Sequence, residues 1–428
     1  MLAIQYVRSV PRYLTARYAA SRWPRLLGAP LSPVRLAEID PPALPGPRWV
    51  RVRPLLSGIC GSDLATVTAQ GSTYFSPFVS TPFVLGHEIV GVIEEVGPEA
   101  RRVAVGDRVV VHPPLHCRVR GLADLCVSCR AGDTAHCRRV TEGDLSAGIQ
   151  TGYCRDTGGG WSSALVAHEL QLWRVPEGVD DDAAVLIEPY SCCLHAVERA
   201  LLGPSDGAGT PTGEARSVAT LDENTEAPAD VRIPGGAAIA LVIGCGSIGL
   251  LTIAALRASG FEGRVVAVAK YPHQAGAARD MGADDVVPPG NRPTLGAAVG
   301  ATLHEPELGP PTAVGGADVT FDCVGAGGTL DDAMRFTRPR GAVIVVGMPG
   351  VPEGIDWTAM WHKELDVRGS YTCSDETFER AVEDVTGMVG RLAPLVTGRF
   401  PLEEYGPAIR TALDAGRLGH VKIVFEPR

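Results

Sequence analysis

The chain has 428 residues, of which 45% are hydrophobic and 21% are charged, and its formal net charge is −10 at pH 7. This length is ample for two domains with separate cores, and the composition is ordinary for a globular enzyme. The acidic balance argues against a nucleic-acid partner because phosphate binding needs a basic face. The sequence also lacks an apolar run of about eighteen residues, so we expect no membrane-spanning helix.

The first 37 residues contain six arginines and no acidic residue. An arginine-rich, acid-poor start can mark an organelle transit peptide. A first strand followed by a surface extension explains the same composition, and no apolar core of a secretory signal is visible. We favour this second interpretation and expect a cytoplasmic protein.

Short valine-rich runs, broken by Gly and Pro, follow between residues 48 and 200, as in "RWVRVRPLL", "GDRVVVHPP" and "LQLWRVPEG". Such runs predict a domain of mostly β-structure. In the same region "FVLGHEIVGVIEEVG" reads as buried strand, yet His87 and Glu88 stand side by side at its centre. An imidazole and a carboxylate in apolar sequence need a partner or a bound ion.

Two groups of residues in this region suggest metal binding. Four of the eleven cysteines fall in one short window at Cys117, Cys126, Cys129 and Cys137. Clustered cysteines in a long chain without a signal peptide are more often metal ligands than disulfides.

The second group joins Cys60 of "GICGSD" with His87, Glu88 and the apolar-flanked Glu188 of "LIEPYSCC". Cys, His and carboxylate together form a zinc donor set in which three protein ligands leave one position for substrate or water. The alternative is a histidine satisfied by core hydrogen bonds, with Glu88 paired to an arginine.

Residues 203–236 have no periodicity and are rich in Gly, Pro, Thr, Asp and Glu, which predicts a mobile surface insertion. After them the continuous apolar run "AAIALVIG" and an alternation of strand and helix patterns predict a parallel doubly wound sheet.

The strand "AAIALVIG" runs into a glycine motif that opens a helix, "VIGCGSIG", with Gly244, Gly246 and Gly249 around Ser247 and Ile248. The first glycine permits a tight turn, the second lets backbone approach a pyrophosphate, and the third allows close packing of helix on strand. In this context the motif predicts dinucleotide binding.

These motifs, "GICGSD", "GHE", "IEP", the four-cysteine lobe and "VIGCGSIG", resemble in type and order the zinc-dependent medium-chain dehydrogenase/reductase family, above all its sorbitol/threonine/glucose dehydrogenase branch. The resemblance implies an α/β fold with a GroES-like, mostly β catalytic domain and a Rossmann domain. We expect the catalytic domain at 1–188 with the lobe at 117–137, the Rossmann domain at 189–368, and a C-terminal return at 369–428.

The resemblance also implies roles for the residues around Cys60. Cys60 and His87 would bind catalytic zinc, with Glu88 and Glu188 as alternative carboxylate ligands. Asp63 would orient His87, and Ser62 would hydrogen-bond the substrate hydroxyl and begin the proton exit route.

The implied reaction is hydride transfer between a secondary alcohol, polyol or sugar-like substrate and a nicotinamide cofactor. Rival interpretations are a redox-neutral enzyme with tightly held cofactor, and a non-catalytic dinucleotide-sensing protein. We expect a homodimer or homotetramer.

The chain departs from the family pattern at two zinc-related positions. Many relatives carry a proton-relaying His where this chain has Ala65. The first lobe cysteine is expected where Ala123 stands, so we interpret Cys117 as the fourth ligand of a structural zinc, with His116 or His136, or a lobe without metal, as alternatives.

A third departure concerns the cofactor. Where NAD-binding relatives carry an acid after the second Rossmann strand, this chain has Ala269 followed by Lys270. Loss of the carboxylate removes its repulsion of a 2′-phosphate, and a cation could pair with one. The sequence therefore favours NADP over NAD.

Overall fold

A computed structural model describes residues 1–18, 23, 26–27, 32–201 and 238–427. The predicted mobile insertion at 203–236 lies outside the described residues. Among the described helices, none is long and apolar enough to cross a membrane.

The first part of the chain is mostly β-structure, as its valine-rich runs predict. Its strands are β1 (Leu2–Tyr6), β2 (Val34–Glu38), β3 (Trp49–Gly58), β4 (Phe83–Val84), β5 (Ile89–Val96), β6 (Arg108–Val111), β7 (Leu165–His168) and β8 (Leu172–Arg174). Its helices are α1 (Val10–Tyr18), α2 (Gly61–Val67), α3 (Val127–Arg130), α4 (Asp181–Ala184) and α5 (Ile187–Leu201).

The second part alternates strands and helices. These elements are β9 (Ile239–Ile243), α6 (Ser247–Ala258), β10 (Arg264–Val268), α7 (Pro272–Met281), β11 (Asp285–Val287), α8 (Arg292–Ala298), β12 (Thr302–His304), β13 (Thr312–Val314), β14 (Ala317–Asp322), α9 (Gly327–Phe336), β15 (Thr337–Val345), α10 (Thr358–His362) and β16 (Asp366–Gly369). Six strands form one parallel sheet in the order β11-β10-β9-β14-β15-β16. The order reverses between β9 and β14, which is where doubly wound sheets bind ligands.

The last part of the chain returns to the first sheet. Its elements are α11 (Asp375–Thr386), α12 (Val389–Leu392), β17 (Val396–Phe400), α13 (Tyr405–Leu413), α14 (Ala415–Leu418) and β18 (Lys422–Phe425). Strand β18 pairs with β3 within a seven-stranded sheet, in the order β17-β18-β3-β5-β6-β8 with β7 on β3. Strands β2, β1 and β4 form a separate small sheet.

The segment around His87 is not the continuous strand that its apolar pattern predicts. Strand β4 ends at Val84 and β5 begins at Ile89, so His87 and Glu88 lie in a break between two strands. Gly86 turns the chain there with φ of +92°, and a Cβ on it would lie 2.3 Å from the ring of Trp161. Because His87 and Glu88 lie outside both strands, their side chains need not alternate between the two faces of a sheet.

One continuous apolar cluster joins the two parts of the molecule. It contains Leu56 and Val110 of the first sheet, Leu194 of α5, and Val242 of the parallel sheet. Helix α5 crosses the boundary predicted between 188 and 189 and carries Glu188 in its first turn. The domain boundaries themselves stay predictions.

Candidate functional site

The N-terminus of α2 brings three of the predicted site residues together. Cys60 is the N-cap residue of α2, and Asp63 Oδ2 accepts a hydrogen bond from the Cys60 backbone N–H at 3.0 Å. The other oxygen, Oδ1, lies 3.5 Å from Nδ1 of His87. The fully buried Asp63 carboxylate therefore contacts both the Cys60 backbone and the His87 imidazole. Because Asp63 faces Nδ1, the Nε2 atom of His87 remains for a second partner.

The surroundings of His87 favour a positive charge. Burial opposes the imidazolium, but the Asp63 carboxylate and the Cys60 thiol outweigh it and raise the pKa of His87 well above its ordinary value. A pocket that stabilises a proton on buried imidazole also stabilises a metal cation at the same place.

The structure separates the two carboxylates that the sequence left as alternatives. Glu88 forms a buried ion pair with Lys422 of β18, whose Nζ also donates to the carbonyl of Ile59 at 3.2 Å. Gly58 makes room for this pair, because a Cβ there would collide with the Glu88 carboxylate.

Glu188 is also buried, and its Oε1 accepts a hydrogen bond from the Cys192 thiol at 3.7 Å. Burial raises the pKa of Glu188 to about 7, against the opposing charge of His87 nearby. Among the described residues Glu188 forms no salt bridge, whereas Glu88 pairs with Lys422.

Sequence reasoning missed Lys422 and Tyr153. Lysine occurs only at Lys270, Lys363 and Lys422 in the whole chain, so a lysine inside the apolar run "HVKIVFEP" was a usable clue. The Tyr153 ring lies 6.0 Å from the His87 ring, centroid to centroid. Nothing in the sequence around Tyr153 marks it as part of the site, because the contact depends on folding.

The four predicted lobe cysteines form one cluster. Cys117, Cys126, Cys129 and Cys137 place their sulfur atoms within 4.8 Å of one another, and no other group of three or more potential ligands in the described ranges is gathered so closely. Backbone N–H groups donate to these sulfurs, for example from Arg138 to Cys126 at 3.4 Å. Hydrogen bonding from Cys129, despite burial, lowers the pKa of Cys137 to about 5, which favours the thiolate that metals bind.

Cys117 lies six residues before position 123, where the first lobe cysteine is expected, and the structure gives this insertion a role. Arg120, fully buried, donates all five of its N–H groups to backbone carbonyls at 2.8–3.0 Å. Four of these carbonyls belong to residues 142–148, so the insertion anchors the loop that follows the cluster. Neither His116 nor His136 belongs to the four-sulfur cluster, and His136 pairs instead with Asp133 at 2.8 Å.

The glycine motif has the geometry that its spacing predicts. Gly244 turns with φ of +93°, and a Cβ on Gly249 would lie 1.8 Å from the Gly244 carbonyl oxygen. Gly246 caps α6 and faces open space, because no atom lies within 4 Å of a Cβ built there. Ser247 and Ile248 begin α6, so their backbone N–H groups lie at the helix N-terminus, where anions bind.

At the end of β10, Ala269 is buried and Lys270 is exposed. The Lys270 Nζ lies 5.5 Å from the centre of the Tyr271 ring, which stacks on His273. The strand end therefore presents a cation and a ring, with no carboxylate at either of the two positions.

A mostly β domain, a doubly wound parallel sheet and the glycine turn after β9 define the class of zinc-binding dehydrogenases. Residues 46–177 match the alcohol dehydrogenase GroES-like domain, and residues 247–387 match the zinc-binding dehydrogenase family. The chain belongs to the zinc-dependent medium-chain dehydrogenase/reductase family of oxidoreductases.

Three relatives illustrate the likeness. Sorbitol dehydrogenase of Arabidopsis thaliana is 30% identical over 370 residues, 86% of each chain. L-idonate 5-dehydrogenase of Vitis vinifera is 28% identical over 396 residues, 92% of each chain. The crystal structure of 2R,3R-butanediol dehydrogenase from Bacillus subtilis matches with a TM-score of 0.65 and 22% identity, covering 92% of this chain and 96% of that one.

Proposed function

We propose that the protein interconverts a secondary alcohol or polyol with its carbonyl compound, using NADP and a zinc ion held by Cys60, His87 and Glu188. The observation that carries this proposal is that the two buried carboxylates, Glu88 and Glu188, have different partners. Lys422 neutralises Glu88, whereas the buried Glu188 forms no salt bridge in the described part of the chain. A buried carboxylate of that kind is costly unless a cation joins it.

The donor set fits zinc by its chemistry. One thiolate, one imidazole and one carboxylate are ligands that Zn²⁺ binds in catalytic sites with an open fourth position. Zinc there would supply Lewis acidity, lowering the pKa of an alcohol bound at the open position. Asp63 would hold Cys60 and His87 in place through the two contacts described above.

The remaining steps fall to this chain's own residues. The Ser62 hydroxyl, in the first turn of α2, would accept a hydrogen bond from the alcohol hydroxyl. The Gly244–Gly249 turn and the N-terminus of α6 would hold the cofactor pyrophosphate. The nicotinamide would exchange the hydride with the carbinol carbon.

The names of the three relatives support the substrate class. Sorbitol, idonate and butanediol all carry secondary hydroxyl groups, so a secondary alcohol or polyol is the common chemistry. The test is a panel of primary alcohols, secondary alcohols, polyols and sugars assayed with both cofactors on purified zinc-loaded enzyme. Turnover confined to primary alcohols, or no turnover of any, would contradict the proposal.

We also propose two zinc ions per chain, the second bound by Cys117, Cys126, Cys129 and Cys137. The proximity of the four sulfurs supports this site, because four thiols in such contact, three of them buried, are a structural zinc set. Metal analysis of protein purified without chelator should give two zinc ions per chain, and one or none would count against it.

The preference for NADP rests on the end of β10. Lys270 could pair with a 2′-phosphate, and Ala269 offers no carboxylate to accept hydrogen bonds from a free ribose 2′-hydroxyl. Wild type should show the higher kcat/KM with NADP, and the double change Ala269→Asp, Lys270→Leu should reverse the preference. Arg264→Leu, at the opposite end of the same strand, is the matched control. A tenfold or greater preference of wild type for NAD would contradict the argument.

A further inference from the structure

Helix α1 turns an apolar stripe towards solvent. Its exposed large apolar side chains belong to Val10, Leu14 and Tyr18, and 70%, 47% and 74% of these residues is exposed. A helix turns by about 100° per residue, so positions four apart share one face, whereas the buried Ala16 lies on the opposite face. Helix α1 therefore packs on the protein by one side and leaves an apolar side uncovered.

The arginines around this stripe carry positive charge that no carboxylate balances. The segment contains no acidic residue, although the whole chain has a formal net charge of −10 at pH 7. Arg8 is exposed just before the helix, and Arg12 and Arg17 donate to uncharged backbone carbonyls at 3.3 and 2.9 Å. In the part of the chain that the structure describes, none of these three arginines forms a salt bridge. Their charge is therefore free to meet an anionic partner.

The stripe and the charge together select the kind of partner. The phosphates of a nucleic acid would neutralise the arginines but would leave the apolar stripe in water. A stable protein interface takes about 800 Å² from each partner, which is more than three side chains offer. The surface of an anionic bilayer satisfies both features, because its headgroups pair with arginine while apolar side chains enter the acyl boundary.

We propose that α1 docks the protein on membrane surfaces rich in anionic phospholipids. Val10, Leu14 and Tyr18 enter the boundary between headgroups and acyl chains, while Arg8 and Arg17 pair with lipid phosphates. Arg17 directly precedes Tyr18 in the helix, so it borders the stripe. A helix of nine residues lies on the bilayer rather than crossing it, which agrees with the finding that no described helix could span a membrane.

Co-sedimentation of the full-length protein with lipid vesicles tests the proposal. We expect the protein to bind vesicles that mix phosphatidylserine with phosphatidylcholine. Binding to vesicles of phosphatidylcholine alone should be at least about tenfold weaker, because they lack the negative charge that the arginines meet. Added salt should weaken binding to the mixed vesicles, since it screens the same charges.

The apolar contribution is tested by the combined change Val10→Ser, Leu14→Ser and Tyr18→Ser. Affinity for mixed vesicles should fall at least about tenfold, because the buried apolar area is lost. The matched control removes three exposed apolar side chains outside α1, namely Val105→Ser, Leu308→Ser and Val314→Ser. The control should bind like wild type, and melting temperatures establish that both variants fold.

The electrostatic contribution is tested by neutralising the two arginines beside the stripe. Arg8→Gln with Arg17→Gln should weaken binding to mixed vesicles about tenfold. Arg8→Lys with Arg17→Lys keeps both charges and should stay within about threefold of wild type. Equal losses in the two double variants would show that these side chains act by their shape rather than by charge, and would overturn the pairing with lipid phosphate.

Two further results would overturn the docking itself: wild type that stays in the supernatant with mixed vesicles, or a serine variant of the stripe that binds them as tightly as wild type. Self-association that is lost in the stripe variant, without vesicle binding by wild type, would assign the stripe to a second copy of the chain and would likewise overturn the proposal. None of these measurements depends on turnover, so their outcome is independent of the proposed function.

Discussion

The four-cysteine lobe and the cleft, the region of Cys60, His87 and Glu188, both contain predicted metal ligands, but they are built in different ways. The lobe gathers four thiols from one short stretch of chain, and all four sulfurs lie within 4.8 Å of one another. The cleft draws Cys60 from the start of α2, His87 from the break before β5, and Glu188 from α5. A closed, local set suits a metal that holds structure, whereas a spread set from three elements suits one that leaves a position open.

The two regions also balance charge differently. In the cleft a lysine from the C-terminal strand pairs with Glu88. In the lobe, backbone N–H groups donate to the sulfurs. The buried Arg120 guanidinium also interacts electrostatically with Cys137 and Cys117. The cleft therefore depends on long-range contacts, and the lobe depends mainly on its own segment.

The largest expected effect separates the two regions by activity. Cys60→Ser should lower kcat/KM by at least about 10³-fold, because it removes a ligand of the proposed Lewis acid. The melting temperature should stay close to wild type, and the zinc content should fall from two ions to one. A variant that keeps substantial turnover would place the reaction elsewhere.

The matching change in the lobe should act on stability. Cys129→Ser should lower the free energy of unfolding by roughly 5 kcal/mol or more, because structural zinc binding contributes folding free energy. Urea denaturation and metal analysis measure this. Cys154→Ser is the control, since Cys154 is buried but stands outside the cluster. Equal stability of the two serine variants would show that the lobe holds no structural metal.

A third prediction concerns the buried ion pair between Glu88 and Lys422. Lys422→Met should cost about 3–5 kcal/mol of unfolding free energy, because it leaves the Glu88 carboxylate buried without its partner. The double variant Glu88→Gln, Lys422→Met should recover most of that loss. A double variant as unstable as the single one would mean that Lys422 contributes by packing rather than by charge.

The smallest expected effect concerns His168 at the end of β7, whose ring packs edge-on against Trp49 of β3. Burial lowers the pKa of His168 from 6.5 to about 4, and its Nδ1 accepts a hydrogen bond from the Leu170 N–H at 3.1 Å. In the unfolded chain His168 is protonated below pH 6.5, whereas in the folded chain it is protonated only below about pH 4. Folding stability must therefore fall as the pH drops through this window.

His168→Asn keeps an acceptor for Leu170 but does not titrate. Between pH 7 and pH 5 the variant should lose about 2 kcal/mol less unfolding free energy than wild type. Urea denaturation at the two pH values measures the difference. Identical losses in both proteins would show that His168 is protonated in the folded state at pH 5.

Much of the fold could be predicted because its patterns are local. The apolar runs, the helix after Gly249 and the alternation of strands and helices depend on short stretches of sequence, and the structure and the family matches confirm the α/β class. The predicted buried strand at 83–97 was wrong at its centre, where His87 and Glu88 lie between β4 and β5. Gly86 adopts a positive φ there, and Trp161 leaves no room for a side chain at that position; Trp161 lies too far along the chain for a local pattern to show this.

The residue types and spacings of both predicted donor groups and of the glycine turn could be recognised in the sequence, because metal ligation and close backbone approach restrict such positions to few residue types. That Glu88 pairs with Lys422 became visible only in the folded chain, because Lys422 comes from a strand at the far end of the sequence. The same is true of the contact between the Tyr153 phenol and Thr66 Oγ1, which lie 3.2 Å apart. Contacts between distant segments arise when apolar surfaces pack together, and no periodicity along the chain encodes them.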